Sequence, residues 1–423
     1  MSVNQQDSAY PENVFSVSDI IQKLSGIWIP GSDVNIILRI LYMAFVAMLY
    51  GIGIIFLICE IVIFYKSLAD IDKLISNISM LLTHLVGAFK FCIVAFGIKK
   101  IRNIMDTLQD KTYHYTALGE FNPGQMMQKQ KTINSILSVL FFALYGMCGM
   151  SAYMSTTLSL DMGLEHDSFE MANITCYDFM PYVFYIPFPT NKKWECKMAA
   201  LFMNIGLQLF AGVIACNDGL FVGLLGCLKT QLMIVCHVFT TIRVRTLKKL
   251  DLPENHFVMH DSENPVLEEE MYMQLNGVIR HLMILLRVRD EIEFMFTFVT
   301  LSQSIASLFI IASCLFVAST VPIGSPNFFS QLEYFVCVVV QFSLICWCGN
   351  EITIASESVT TALYESDWFS STARYKKSMI ITMTRMQRPV YLTIGKFAPL
   401  SLTVLLGVFR GSFSYFTVFK SIQ

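Results

Sequence analysis

Seven stretches of this sequence are long and apolar enough to cross a lipid bilayer as helices. A bilayer core of about 30 Å needs roughly 20 apolar residues in a helix, and every backbone polar group there must bond within that helix. The chain is 54% hydrophobic and 15% charged, against roughly 25% charged in soluble domains. We therefore predict an all-α membrane protein with seven transmembrane helices. The predicted spans are residues 36–65, 74–98, 133–160, 198–228, 296–321, 332–348 and 397–419.

The distribution of Lys and Arg predicts the orientation of these spans, because basic residues collect in cytoplasmic loops. The connections after the second and sixth spans are rich in Lys and Arg, whereas 322–331 has none. We expect the basic connections to be cytoplasmic. The N-terminus is then cytoplasmic and the C-terminus extracellular. The segment 1–33 lacks the pattern of a cleaved signal peptide.

These spans and their direction divide the chain into six segments. We expect a cytoplasmic N-terminal segment (1–35), transmembrane helices 1–4 (36–228), a cytoplasmic connection with a helix extension (229–295), transmembrane helices 5–6 (296–348), a cytoplasmic anchor segment (349–394) and a last helix (395–423).

The fifth helix is predicted to begin well outside the bilayer. Acidic residues follow Pro265, where the helix dipole favours them. An apolar stripe then recurs at helical spacing and consists of Leu275, Val278, Ile279, Leu282, Leu285 and Leu286. Such a stripe must be buried, so we expect a cytoplasmic bundle with the ends of the fourth and sixth helices. A helix lying on the membrane surface is the alternative.

Polar segments between spans contain candidate modification sites. Cys176 and Cys196 lie in one such segment and could close a disulfide if it faces an oxidising compartment; two free thiols are the alternative. Asn77 and Asn173 begin glycosylation triplets. The triplet at Asn77 is close to the predicted membrane boundary, so both modifications are open expectations.

The sequence lacks the motifs of several other functions. It has no His-Glu-x-x-His motif, no phosphate-binding glycine loop, and no cysteine and histidine spacing typical of a metal site, so we predict neither an enzyme nor a cofactor. A net charge of −2 gives no basic surface for nucleic acid. Duplicated halves typical of many transporters are not visible.

From Gly349 to the C-terminus the chain resembles the insect odorant receptors. The motifs that carry this resemblance are Gly349-Asn350-Glu351, Ser356, Ala362, Tyr364, Trp368, Lys376-Lys377, Gln387-Arg388-Pro389, Gly395-Lys396-Phe397 and Ser414-Tyr415-Phe416. The Gln-Phe ending typical of the related gustatory receptors is missing. The short connection between the fourth and fifth spans is similar to that of an odour-specific subunit rather than the co-receptor.

The resemblance implies a subunit of a ligand-gated, non-selective cation channel in the plasma membrane of olfactory sensory neurons. Four chains, usually including the co-receptor, would surround a pore lined by the last helix. On this helix Tyr415, Val418, Ser421 and Ile422 are the implied pore and gate residues, and an apolar ring can close a pore by dewetting. They could instead face lipid. A seven-span receptor that signals through G proteins and a gustatory receptor are the alternatives.

The resemblance also implies a pocket for a small volatile organic odorant in the outer half of the second, third, fourth and sixth helices. The residues that these stretches supply are Thr83, Gly87, Met147, Met150, Ser151, Met154, Phe202, Ile205, Tyr334 and Val338. Each could equally serve helix packing. Charges within the spans are costly and tend to face the protein interior. We expect this of Glu60, Lys90, Asp218 and Glu333.

Overall fold

The computed structural model describes residues 10–28, 35–69, 71–163, 175–180, 182, 184–253 and 260–422. These residues form ten α-helices and one small antiparallel hairpin. The helices are α1 (Ser16–Leu24), α2 (Ile36–Lys66), α3 (Ile71–Leu108), α4 (Pro123–Gly163), α5 (Lys193–Thr240), α6 (Ile242–Lys249), α7 (Pro265–Thr320), α8 (Pro326–Tyr364), α9 (Ala373–Met386) and α10 (Leu402–Ile422), and the strands are β1 (Thr393–Ile394) and β2 (Ala398–Pro399).

Seven of the described helices, namely α2, α3, α4, α5, α7, α8 and α10, are long and apolar enough to cross a membrane. Each of them covers most or all of one of the seven stretches predicted from the sequence, so the prediction of a seven-span helical protein is confirmed. Several run far past the predicted ends. For example, α8 has 39 residues, although the predicted sixth span covers only 332–348.

The last helix begins later than predicted. The predicted span starts at Phe397, and the predicted segment boundary is at Gly395, but β1 and β2 pair around these residues and α10 starts at Leu402. Pro399 accounts for the difference, because the residue before a proline is disfavoured in helical conformation and proline cannot donate a backbone hydrogen bond.

Helix α5 occupies the centre of the bundle and packs against α3, α4, α7 and α8. Its buried face contains many small residues, including Ala199, Gly206 and Gly219, which allow close helix packing. Helices α2 and α10 are different. Only 17% of the apolar window of α2 and 11% of that of α10 is buried in the chain. These two helices therefore present most of their apolar surface to their surroundings.

Local sequence explains where the two long helices after α6 begin. The Asn264 side chain accepts a hydrogen bond from the Leu267 amide at the start of α7, and Pro265 follows the cap. Ser325 and Pro326 repeat this arrangement at the start of α8. A polar cap followed by proline is a strong helix-start signal, because it satisfies a free amide and presets φ.

The apolar stripe at the start of α7 is buried within the chain. Leu275, Val278, Leu282 and Leu285 are each at most 2% exposed, and α7 contacts α5, α6, α8 and α9. The expected helical bundle outside the spans is therefore present. The stripe is not available for lying on a membrane surface.

The hairpin connects this bundle to α10. Its Thr393 amide donates a hydrogen bond to the Glu293 carboxylate at 2.8 Å, and the Gly395 amide donates to the Thr297 carbonyl at 2.9 Å. Leu400 lies against Gly349 of α8, where a Cβ atom would come within 2.5 Å of Leu400 Cγ and 2.8 Å of its carbonyl oxygen. The hairpin is thus fixed to both α7 and α8.

Substituting Gly349 tests this close approach. Gly349→Ala should push the hairpin away from α8 and destabilise the protein by about 1–3 kcal/mol, as other overpacked contacts do. The measurement is the thermal melting of detergent-purified protein. The control is Gly277→Ala in α7, where an added Cβ meets nothing within 4 Å and a helix gains about 0.5–1 kcal/mol. Equal melting temperatures for the two variants would contradict the proposed role of this contact.

Candidate ligand-binding site

Five helices of the bundle line a cavity of about 90 Å³. Helices α3, α4, α5, α7 and α8 each contribute one face to its wall, and most of the lining is apolar. The polar lining residues are Thr83, His84, Lys90, Tyr145, Gln303, Ser330, Gln331, Tyr334 and Gln341.

The spacing of the lining residues follows from helix geometry. On α3 they include Thr83, Gly87 and Lys90, which lie at steps of four and three residues and so share one face. Gly87 brings α3 close to α5, since a Cβ at this position would come within 2.8 Å of the Ile214 side chain. The cavity therefore depends on a small residue where the two helices meet.

Two hydroxyl groups meet at one side of the cavity. The Thr83 and Tyr334 oxygens are 2.5 Å apart, and both are within hydrogen-bond distance of the Ser79 carbonyl oxygen, at 2.9 and 3.2 Å. Each hydroxyl has a single proton and several acceptor sites nearby. A ligand can therefore exchange a hydrogen bond with this pair without leaving a buried group unpaired.

A buried ion pair closes the opposite side. Lys90 Nζ is 2.5 Å from Asp218 Oδ1, and their side chains are 4% and 2% exposed. The other carboxylate oxygen accepts hydrogen bonds from the Tyr145 hydroxyl at 3.2 Å and from the Gln341 amide at 2.5 Å. Gln303 donates to Gln341 at 3.2 Å. This network joins α3, α4, α5, α7 and α8.

A second buried carboxylate lies behind the cavity wall. Glu60 of α2 is 2.7 Å from His84 Nδ1, and both side chains are 3% exposed. His84 lines the cavity, whereas Glu60 does not. The same arrangement holds for Lys90, which lines the cavity, and Asp218, which does not. In both pairs the nitrogen-containing side chain faces the cavity and its carboxylate partner lies behind it. The expectation that Glu60, Lys90 and Asp218 face the interior agrees with these contacts.

The structure brings together some of the residues proposed for ligand binding and separates others. Thr83, Gly87, Tyr334 and Val338 line the cavity. The remaining residues of that set do not line it; they are Met147, Met150, Ser151, Met154, Phe202 and Ile205. Met147, Met150, Met154 and Ile205 are 42–59% exposed on the outside of the bundle. Phe202 instead packs against the rings of Phe56 and Phe184.

Helix α4 shows why this part of the prediction differs. Periodicity alone does not identify which face of a fully apolar helix points inward. The face in contact with the cavity consists of Tyr145, Cys148, Gly149 and Ala152, rotated by about half a turn from the methionines. The sequence signal for it was the single polar ring of Tyr145. The fifth span was not predicted to contribute, but α7 supplies Gln303, Ala306 and Ile310.

The predicted pore residues lie on the exposed part of α10. Tyr415 and Val418 are 42% and 49% exposed, and Ser421 is also exposed. The Tyr415 ring packs 5.1 Å from that of Phe309 in α7. The Ile422 side chain is outside the described part of the chain. One face of α10 is therefore attached to α7, while Val418 points away from the chain's own core.

Cys176 and Cys196 are joined by a disulfide, with their Cα atoms 5.6 Å apart. The candidate glycosylation sites differ. Asn77 is 3% exposed, and its amide nitrogen donates to Ser67 Oγ at 3.2 Å. This burial disfavours a glycan at Asn77 in the folded chain, and its glycosylation stays a prediction. Asn173 lies outside the described residues.

Comparison with known proteins identifies the family. The family model described as the 7tm odorant receptor matches residues 70–413 of the chain. The chain belongs to the odorant receptor family. This odorant receptor sequence is 25% identical to the putative odorant receptor 69a, isoform A, of Drosophila melanogaster over 234 residues, or 55% of this chain and 56% of that protein. It is 24% identical to the putative odorant receptor 85d of the same species over 57% of this chain and 54% of that protein. The matches thus span about half the length of these relatives.

The fold is also similar to a solved odorant receptor structure. The insect olfactory receptor OR5 from Machilis hrabei in complex with eugenol superimposes with a TM-score of 0.75, covering 97% of this chain and 98% of that one. The sequence identity is 13%. At this identity the likeness establishes that the two chains share the fold.

Removing one partner of the buried ion pair should be costly for this odorant receptor. Asp218→Asn leaves Lys90 charged and without its carboxylate, and we expect a loss of roughly 3–5 kcal/mol in stability. The double variant Lys90→Met with Asp218→Leu should recover much of that loss, because it removes both charges. The measurement is thermal melting in detergent.

The matched control is Asp161→Asn. Asp161 pairs with Lys197 at 2.8 Å, but the two side chains are 52% and 42% exposed. Solvent screens such a pair, so this variant should have the same melting temperature as the unmodified protein. A similar small effect at Asp218 would contradict the structural role of the network.

Proposed function

We propose that the chain is an odour-binding subunit of a ligand-gated, non-selective cation channel, and that it assembles with the odorant receptor co-receptor in a heterotetramer of the sensory neuron plasma membrane. The observation that carries the ligand-binding part is the cavity of about 90 Å³ between five helices in a member of this family. Mostly apolar cavities with a few convergent polar groups are typical of small-molecule sites.

The proposed direction in the membrane has the N-terminus in the cytoplasm and the C-terminus outside. The Lys and Arg residues after α3 and around α9 support it. The Cys176–Cys196 disulfide supports it independently, because disulfides persist in oxidising compartments. Its segment lies between α4 and α5, opposite the basic connections in this arrangement.

The cavity favours a small molecule with a mainly apolar body. A volume of about 90 Å³ is several times the roughly 10–15 Å³ that one water needs, so the cavity admits a small molecule. Burial supplies most of the binding, and Thr83 with Tyr334 offers one polar contact. The Machilis hrabei receptor, solved in complex with eugenol, supports a small organic ligand by analogy.

We propose that the ligand opens the channel through α7 and α8, which both line the cavity and hold α10. Gln303 and Tyr334 lie in the cavity wall. Farther along the same helices, Leu308 accepts a hydrogen bond from Ser412 of α10 at 2.9 Å, and Gly349 contacts Leu400. A ligand shifts the closed–open equilibrium only if it binds the open arrangement more tightly. Val418, with Tyr415, Ser421 and Ile422, is the proposed gate.

The direct test is patch-clamp recording from cells that express the chain with and without the co-receptor. A panel of small volatiles is applied while G-protein signalling is blocked. We expect a fast cation current that survives the block and needs the co-receptor. A current that disappears with the block would instead favour a receptor that signals through G proteins.

A pair of phenylalanine substitutions on α4 tests the position of the ligand. Ala152 is 4% exposed and lines the cavity, whereas Met150 is 45% exposed on the outside. Ala152→Phe should fill the cavity and abolish odorant currents, and Met150→Phe should leave them unchanged. Both variants need normal surface labelling. If Met150→Phe abolished the currents and Ala152→Phe left them unchanged, the binding site would instead lie on the outward face of α4.

The proposed gate is tested at Val418. Val418→Ala should raise the resting current, because smaller side chains leave a wider opening that water fills more readily. Val418→Lys should lower cation conductance, because its positive charge repels the permeating cations. The control is Phe413→Ala, about 140° around the same helix and 61% exposed. Unchanged resting current, conductance and ion selectivity in both Val418 variants would remove Val418 from the gate.

A further inference from the structure

Three arginines surround a depression beside the middle of α7, where α7, α9 and the hairpin meet. Arg289 comes from α7, Arg385 from the last turn of α9, and Arg388 from the loop after it. Thr384, Tyr391 and Thr393 add hydroxyl groups to the same surface. The lining contains no acidic residue. It is separate from the cavity described above and from α10.

The three guanidinium groups have few partners within the described part of the chain. Arg385 and Arg388 are exposed, and neither guanidinium forms a hydrogen bond or ion pair with the described part of the chain. Arg289 is 19% exposed and approaches Asp290 at 3.1 Å, but Asp290 is 64% exposed. Arg289 Nε is buried and has no partner among the described residues. The three cations give this concave surface a positive charge, and its neighbouring carboxylates are Asp290 and Glu293, of which Glu293 already accepts a hydrogen bond from Thr393.

The depression lies near one membrane boundary. Thr393 at its edge contacts Thr297 and Thr300, where the fifth span is predicted to begin, and Arg289 is about 10 Å farther along α7. Phe397 of the hairpin is 85% exposed, as is typical of aromatic residues at the level of lipid headgroups. In the proposed orientation this boundary faces the cytoplasm, where the leaflet contains anionic lipids.

We propose that Arg289, Arg385 and Arg388 bind the phosphorylated headgroup of an anionic lipid from the cytoplasmic leaflet. Arginine binds phosphate oxygens through two parallel N–H donors, and three arginines from different segments can surround a headgroup that carries several phosphates. The hydroxyls of Thr384 and Tyr391 are available as further donors. Bound lipid joins α7, α9 and the hairpin at the level where the fifth span begins. The assignment of the leaflet rests on the proposed orientation.

The test uses the full chain purified from insect cells in the assembly that it forms. Its affinity is measured in detergent micelles that contain fluorescent phosphatidylinositol 4,5-bisphosphate, with phosphatidylcholine as the neutral comparison. The combined variant Arg289→Gln, Arg385→Gln and Arg388→Gln should weaken binding of the bisphosphate lipid on the order of 100-fold. Because this assay needs no odorant current, its failure is distinct from failure of the channel proposal.

The matched control removes three positive charges elsewhere in the segments proposed to be cytoplasmic, by Lys111→Gln, Lys129→Gln and Lys377→Gln. These lysines are exposed and do not line the depression, so binding should be retained. If the triple arginine variant has a lowered melting temperature, Arg388→Gln alone replaces it, with an expected loss of affinity for the bisphosphate lipid of about fivefold.

Three results would overturn the proposal. The first is unchanged binding by the arginine variants, and the second is an equal loss in the lysine control. The third is equal affinity of the unmodified chain for soluble inositol 1,4,5-trisphosphate in micelles without lipid, which would assign the arginines to a soluble phosphate. If the arginine variants still bind the lipid but no longer form the assembly on size exclusion, the first result applies, and the depression is then identified as a subunit contact.

Discussion

The contact between Lys90 and Asp218 organises the centre of this odorant receptor chain. In a bilayer, two isolated charges at this depth are unfavourable, and each needs a partner with good geometry. The pair meets that need only when α3 and α5 are correctly aligned, and Tyr145 and Gln341 add α4 and α8 to the same carboxylate. An apolar interior would allow these helices to slide or rotate with little penalty. The ion pair fixes their relative positions, and with them the shape of the cavity.

The same network explains why a mostly apolar cavity has several polar groups in its wall. Polar groups that line it are already bonded to one another or to a carboxylate behind the wall, so an empty cavity leaves few of them unpaired. On the proposed function, a ligand gains from burial without having to replace many hydrogen bonds. Its selectivity would then depend mainly on shape, with the Thr83 and Tyr334 hydroxyls as the adaptable polar contact.

Hydropathy predicted the number of spans and the helical nature of the chain well, because an exposed backbone in lipid is prohibitively costly and 20-residue apolar runs are easily recognised. The buried stripe of α7 was equally clear, since Leu275 and Leu282 alternate with charged residues. The hairpin before α10 was missed, because Phe397 to Pro399 is apolar and continues into the apolar run of α10. The inward face of α4 was also missed, since Met150 and Ala152 are both apolar and only tertiary packing distinguishes them. Pairing of Lys90 with Asp218 requires the relative positions of two helices that are far apart in sequence.

Helix α7 has 56 residues without interruption, and this length gives it a mechanical property that its separate contacts do not show. Gln303 in the cavity wall and Pro265 at the helix start are about 57 Å apart along the axis. A tilt of about 5° about the cavity therefore moves the far end by about 5 Å, which is close to one helical turn. The helix is therefore long enough to act as a lever arm: on the proposed function, a small displacement around the ligand would become a change of packing partners at the opposite end.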